Sequence, residues 1–219
     1  MVQKKSKAAQ ALAAEVPKRR GRPRAYQPEV ALAKALDIFR KDGFAATSLD
    51  DLSAATGMNR PSLYGAFGDK RELYIKAHAR YRADARAAMA DIFKTELPIR
   101  KRLARIFAVA LDIYLSGESG PRGCFTVMTA ASEAIADPEI RAMVREEFTE
   151  LDKAFAACFR IAKEKAELAA SSDPQVLAQL ASATIHTIAI RARAGVPRKE
   201  LEAIVNGAIE MMCNRARCS

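Results

Sequence analysis

The sequence predicts an all-α chain, an N-terminal three-helix helix-turn-helix domain joined to a C-terminal helical bundle. Three observations carry this. Apolar residues recur at spacings of three and four, as in Leu103, Ile106, Phe107, Ala110, Leu111 and Tyr114, which is the period of a helix with one buried face. Helix-start signals precede such runs at Ser48 with Asp51, at Asn59, at Asp69 with Glu72, at Asp137-Pro138 and at Asp173-Pro174. Glycines 43 and 57 fall where runs stop. With 219 residues, 50% of them hydrophobic, the chain can bury a substantial core in one or two domains, which excludes disorder throughout. The expected divisions are a basic, disordered arm over 1–27, a helix-turn-helix domain over 28–74, and a second helical domain over 75–219.

The arm carries most of the charge. Lys4, Lys5, Lys7, Lys18, Arg19, Arg20, Arg22 and Arg24 face only Glu15, so +7 of the net +10 lies in the first 28 residues. A basic segment of this kind binds a polyanion through counterion release and makes that binding salt-dependent. Within it, Lys18-Arg19-Arg20-Gly21-Arg22-Pro23-Arg24 looks like an AT-hook core, with Arg22 and its neighbours suited to the narrow minor groove of A·T-rich DNA.

Pro28 opens the first helix, whose stripe is Leu32, Leu36 and Phe39. Gly43 stops it, and Phe44 is expected to plug the small three-helix core. Ser48 caps a short second helix with Asp51 at its third position, and Gly57, able to turn left-handed, ends it. Asn59 restarts the chain into a third helix reaching Phe67, held down by Leu63 and Phe67, with Arg60, Ser62 and Tyr64 exposed. This is a helix-turn-helix pattern. Asn59 and Arg60 are the expected base readers, since an arginine makes a bidentate contact to guanine; Ser62 reads more weakly, and Pro61 sets helix geometry and reaches a thymine methyl. Asp69 and Glu72 form a capping box, which places Lys70 at a helix N-terminus where a phosphate is its natural partner.

Gly43-Phe44, Thr47-Ser48, Ala54-Ala55-Thr56-Gly57, Ser62-Leu63-Tyr64, Phe67-Gly68-Asp69-Lys70 and Leu73 together make the stretch from Pro28 to Tyr74 resemble the DNA-binding domain of tetracycline-repressor-like (TetR family) transcriptional regulators. That resemblance implies phosphate-positioning roles for Thr47, Ser48, Tyr64 and Lys70. It also implies that 75–219 is a ligand-binding and dimerisation domain with an apolar pocket for a small-molecule effector. One position departs: Ala66 stands where such proteins often carry an aromatic or histidine before the phenylalanine, which implies one phosphate contact fewer.

The helix from Asp69 is expected to run to Phe93 through Leu73, Ala77 and Tyr81 as a link between domains, with His78 a packing residue in it. A helix from Pro98 follows, then a glycine-rich connector over 116–123, one short apolar helix over 124–136, and a long helix from Asp137-Pro138 with Ile140, Val144, Phe148, Leu151, Phe155, Cys158 and Ala162 on one face. The last two helices, from Asp173-Pro174 and from Pro197, carry more apolar surface than a small domain needs. They are expected to pair two copies in a four-helix bundle, making a homodimer. Phe107, Tyr114, Phe125, Met128, Phe155, Phe159 and His186 are the candidate effector contacts, and Cys124 and Cys158 the candidate redox residues.

Other chemistries lack their residues. No Cys/His cluster has metal-ligand spacing, and no phosphate-binding glycine loop, nucleophile elbow or His-Glu-x-x-His pair occurs, so no cofactor, no metal and no enzymatic activity are expected. No run is long enough to span a membrane, and Ala8 to Val16 is too short for a secretory leader, so a cytoplasmic protein with reduced thiols is expected. The expected function is a dimeric, ligand-responsive transcriptional repressor on a palindromic double-stranded DNA operator; its rival is an architectural DNA-binding protein without an effector.

Overall fold

The structure, a computed structural model, is described here for residues 27–117 and 120–214, and ten helices occur among them. The arm, with Arg22 and the Lys18 to Arg24 segment, lies outside the described residues, as does Cys218. Local signals set the helix bounds. α1 (Pro28–Ala46) is broken at Gly43, whose φ of 81° ends the regular part. α2 (Leu49–Thr56) opens on a reciprocal capping box: Asp51 N donates to Ser48 Oγ at 3.1 Å and Ser48 N to Asp51 Oδ2 at 2.8 Å. Gly57 ends it with φ 72°, ψ 14°, a left-handed conformation that a Cβ would oppose. α3 (Arg60–Phe67) starts under Asn59, whose side chain accepts from Ser62 N at 2.9 Å. α4 (Lys70–Lys94) has its own box of Asp69 and Glu72.

α5 (Ile99–Leu115) follows. The short apolar segment then divides, against expectation, into α6 (Phe125–Ala131) and α7 (Glu133–Ala136). The break is at Ser132, whose hydroxyl donates back to the Met128 carbonyl at 3.0 Å and whose φ of −116° departs from the helical value. Back-bonding of this kind bends a helix. α8 (Pro138–Glu164), α9 (Pro174–Arg193) and α10 (Arg198–Cys213) complete the chain, the first two capped by Asp137 and Asp173.

Two apolar cores result. One joins Phe107, Leu111, Phe155, Phe159, Ile188 and Leu201 of α5, α8, α9 and α10. The other begins in the head with Phe39, Leu52, Leu63 and Phe67 and continues through Tyr74 of α4 into Phe125, Ile140 and Val144. Tyr74 sits at its centre, edge-on to Phe39 at 5.0 Å, Phe44 at 5.1 Å and Phe125 at 5.2 Å, with its hydroxyl 2.8 Å from Thr129 Oγ1. Head and body therefore share apolar packing.

The final helices differ from the sequence expectation. The stripe of α10, Leu201, Val205, Ile209 and Met212, is buried within its own chain. α9 buries Ala178, Ala181, Ile185, Ile188 and Ala192 on one side and leaves Val176, Leu180 and Ile190 about half exposed on the other, with Ile161 of α8 also exposed.

Candidate nucleic-acid interface and an adjoining cavity

The head presents one polar edge. Asn59, Arg60, Pro61 and Tyr64 are exposed, Tyr64 at 48%, while Leu63 and Phe67 of the same helix are buried. Arg60 is not idle there: Nε donates to Asp50 Oδ1 at 3.1 Å and Nη2 to Asp50 Oδ2 at 2.7 Å, a bidentate pair on the surface. Ser48 is exposed at the start of α2, and Ser62 is half-buried. Lys70 stands at the start of α4 with its ammonium 4.3 Å from the centre of the Phe44 ring, a cation–π contact. Thr47 is placed otherwise than expected. It is 1% exposed, and its hydroxyl donates to the Gly43 carbonyl at 2.6 Å, so its side chain closes the end of α1 instead of facing outward. Ala66, at the departing position, is half-buried.

Three arginines bind the far end of α1 to the body. Arg193 of α9 donates to the Arg40, Lys41 and Arg122 carbonyls at 2.8, 3.0 and 3.1 Å. Arg122 donates to the Asp37 carbonyl at 2.6 Å, and Arg40 to the Ile113 and Gly123 carbonyls at 3.1 and 3.4 Å. The carbonyls that Gly43 leaves without helical partners thus receive guanidinium donors, at the end of the helix where the macrodipole favours cations. Gly123, φ 64°, sits so close to α9 that a Cβ would lie 2.7 Å from the Ala189 carbonyl oxygen. On the other side of the head, Arg71 of α4 holds Asp137 at 2.5 Å and Glu139 at 2.6 Å. These guanidinium hydrogen bonds hold the Asp137 carboxyl at about 2, against 3.8 ordinarily.

Next to the clamp is a cavity of about 320 Å³, within the range of small-molecule sites. One wall is the four-residue stripe Tyr81, Ala85, Met89 and Phe93 of α4; others come from Ile113 and Tyr114, from Cys124, and from Glu147, Phe148 and Leu151 of α8. Of the side chains expected here, Tyr114 and His186 line it. Phe107, Phe125, Phe155 and Phe159 do not: all are at most 2% exposed in the closed cores, and Met128 lies off the wall. Large aromatic side chains fill cores first. The spacing of Tyr81, Ala85, Met89 and Phe93 was the signal available in the sequence. Cys124 lines the cavity, whereas Cys158 is buried and burial pushes its thiol pKa up. Among the described residues, no group of three or more His, Cys, Asp or Glu could hold a metal ion, and no helix is long and apolar enough to cross a membrane.

His78 is completely buried behind this wall, against Phe125 at 5.5 Å, with neither ring nitrogen hydrogen-bonded and Nε2 4.0 Å from Glu147 Oε2. Burial, aided by Arg82, pushes the imidazole pKa down from 6.5 to about 4. The unfolded chain therefore binds a proton there below 6.5 while the folded chain refuses it until about 4, so stability is full above that window and falls as pH drops through it. At pH 5 the loss is about 2 kcal/mol, at roughly 1.36 kcal/mol per unit. Glu147, whose carboxyl pKa is raised by burial, acts in the opposite sense; His186, lowered by burial, acts in the same sense. Thermal melts at pH 7.5, 6.5 and 5 should show the decline, and His78→Leu should flatten it except for the part belonging to His186.

Comparison with known proteins decides the family. Residues 31–77 match the bacterial regulatory proteins of the tetR family. Residues 100–212, more than half of the chain, match the tetracyclin repressor-like C-terminal domain. The chain belongs to the tetR family. It is a transcriptional regulator and not an enzyme. Among curated relatives of this tetR-family regulator, the HTH-type transcriptional repressor ComR of Escherichia coli K12 is 28% identical over 198 residues, covering 90% of this chain and 93% of the relative. The HTH-type transcriptional repressor BdcR of the same organism is 33% identical over 121 residues, covering 55% and 59%. A solved structure of a cysteine mutant of the TetR-family transcriptional regulator CifR, complexed with 26-base-pair double-strand operator DNA, superposes with a TM-score of 0.77 at 30% identity, covering 87% of this chain and 98% of that one.

Proposed function

We propose that this tetR-family regulator is a ligand-responsive repressor that binds a palindromic operator as a homodimer in the cytoplasm and releases it when a small molecule enters the cavity. The observation that carries the reading is the capped α3 helix, anchored by buried Leu63 and Phe67 with Asn59, Arg60, Pro61 and Tyr64 outward. Arg60 and Asn59 read base edges, helped by Ser62 and by Pro61 against a thymine methyl. Ser48, Tyr64 and Lys70 position phosphates, and Arg22 follows the adjacent minor groove. One head gives too little specific contact, so two are needed. Val176, Leu180 and Ile190, at four- and ten-residue intervals along α9, with Ile161 of α8, form the apolar surface that a second copy covers. The effector cavity borders the clamp through Ile113 and Tyr81, since the Arg40 guanidinium bonds the carbonyl of one and lies 5.3 Å over the ring of the other. A CifR mutant bound to operator DNA supports the DNA partner.

The surface pair with Asp50 is worth up to about 1 kcal/mol, whereas a bidentate contact to guanine is worth about 1 to 3 kcal/mol, so DNA recruits Arg60 from Asp50. Arg60→Ala should therefore weaken operator binding roughly five- to hundredfold per half-site while costing no more than about 1 kcal/mol of stability. Fluorescence anisotropy on DNA from the protein's own upstream region, with light scattering for the assembly, tests the whole reading. A monomer that prefers no duplex at moderate salt would overturn it, and a dimer that coats every duplex equally would favour the architectural alternative.

A further inference from the structure

The cavity wall is mostly aromatic and apolar, but its charges are unequal. Glu147 and Glu150 line it against a single cation, Arg86, which stands 4.0 Å from Glu150. His186 adds no positive charge, because burial keeps its imidazole neutral. Tyr81, Tyr114 and Cys124 line it together, and burial raises the pKa of both phenols. Two oxygens make no well-formed hydrogen bond: Thr126 Oγ1, on a residue 2% exposed, and Glu147 Oε2, although the Thr126 hydroxyl lies close enough to the Glu147 carboxyl to favour its ionised form. Arg82 Nε does approach Oε2 to 3.1 Å, without hydrogen-bond geometry, and the same guanidinium reaches Glu146 at 3.5 Å.

A buried acceptor left unsatisfied costs about 1 to 3 kcal/mol, so a ligand that supplies donors here gains more than contact area. An alcohol brings one hydroxyl proton. A carboxylate brings none and faces two like charges. An ammonium brings several N–H donors and a charge that both the carboxylates and the aromatic faces attract. We propose that the effector is an organic amine with an aromatic or apolar body, its ammonium held between Glu147 and Thr126 and its body against Tyr81, Tyr114 and Phe148. This rests on the reading of the cavity as the effector site. Burial raises the Glu147 carboxyl pKa, and a bound cation favours its ionised form, with Arg82, Arg86, Glu146, Glu150, His78 and His186 as the surrounding titratable or charged groups.

The chain contains no tryptophan, so an indole ligand can be followed by its own emission. Tryptamine, tryptophol and indole-3-acetate share one ring and differ in headgroup. Titrated into the full chain, tryptamine should bind at least tenfold more tightly than either of the others, Glu147→Gln should remove that advantage, and Thr126→Val should weaken tryptamine several-fold. Equal or tighter binding of indole-3-acetate or tryptophol, no binding of tryptamine, or unchanged tryptamine affinity in folded Glu147→Gln would each overturn the assignment. If a variant melts before it can be titrated, the ranking of the three ligands on the unaltered chain decides alone. DNA anisotropy on the same preparation separates the readings: intact DNA preference without amine binding sinks the amine assignment only, and loss of DNA preference sinks the parent reading.

Discussion

Phe39→Ala should destabilise the protein by about 3 to 5 kcal/mol and abolish operator binding near the physiological temperature. Phe39 is 1% exposed, edge-on to Tyr74 at 5.0 Å and stacked with Phe44 at 6.4 Å. Removing its ring empties the point where α1 meets α4 and unseats the two aromatics that lead toward Phe125. Because that core continues from head into body, the loss should appear in the global urea transition and not only in a local loosening of the head. Phe39→Leu, which keeps most of the volume, should recover most of the stability. A Phe39→Ala protein that unfolds within 1 kcal/mol of the parent would show that head and body do not share this core.

Arg193→Ala should cost about 3 kcal/mol and free the end of α1 from the body. Three carbonyls, of Arg40, Lys41 and Arg122, lose their donor at once, and two of them belong to the last regular turn of α1, where no backbone amide replaces it. Hydrogen exchange should accelerate in amides of α1 and of the segment around Gly123, while those of α10 stay protected. Arg193→Lys should not rescue, since one ammonium cannot span carbonyls that a planar guanidinium reaches together. On the proposed function the variant also keeps its ligand and weakens the ligand's effect on DNA affinity, because the end of α1 that Arg40 ties to the cavity wall is no longer held by Arg193. Exchange rates unchanged from the parent would remove the clamp from the account.

The legible part of this protein was local. Ser48 with Asp51, Gly57, Asn59, Asp69 with Glu72, Asp137-Pro138 and Asp173-Pro174 each act within about four residues of themselves, and each marks a helix end where the structure has one. The exposed edge of α3 could likewise be read from the anchors Leu63 and Phe67. Thr47 could not: that its hydroxyl turns onto Gly43 depends on how the chain doubles back after the kink. The break at Ser132 was hidden because a serine in an apolar run signals a bend only when its hydroxyl back-bonds.

By itself, then, the order of residues determined where helices begin, where they stop and which family carries them, because caps and periodicity are interactions between near neighbours. Which faces meet was decided only in three dimensions. The apolar residues of α9 and α10 are all visible in the sequence, yet α9 leaves Val176, Leu180 and Ile190 half exposed while the stripe of α10 is closed; Tyr81, Glu147 and Tyr114 come from three helices to one cavity; and Arg40, Arg122 and Arg193, remote in sequence, converge on one helix end. Burial and hydrogen-bond satisfaction are properties of all the surfaces brought together, and no single segment contains them.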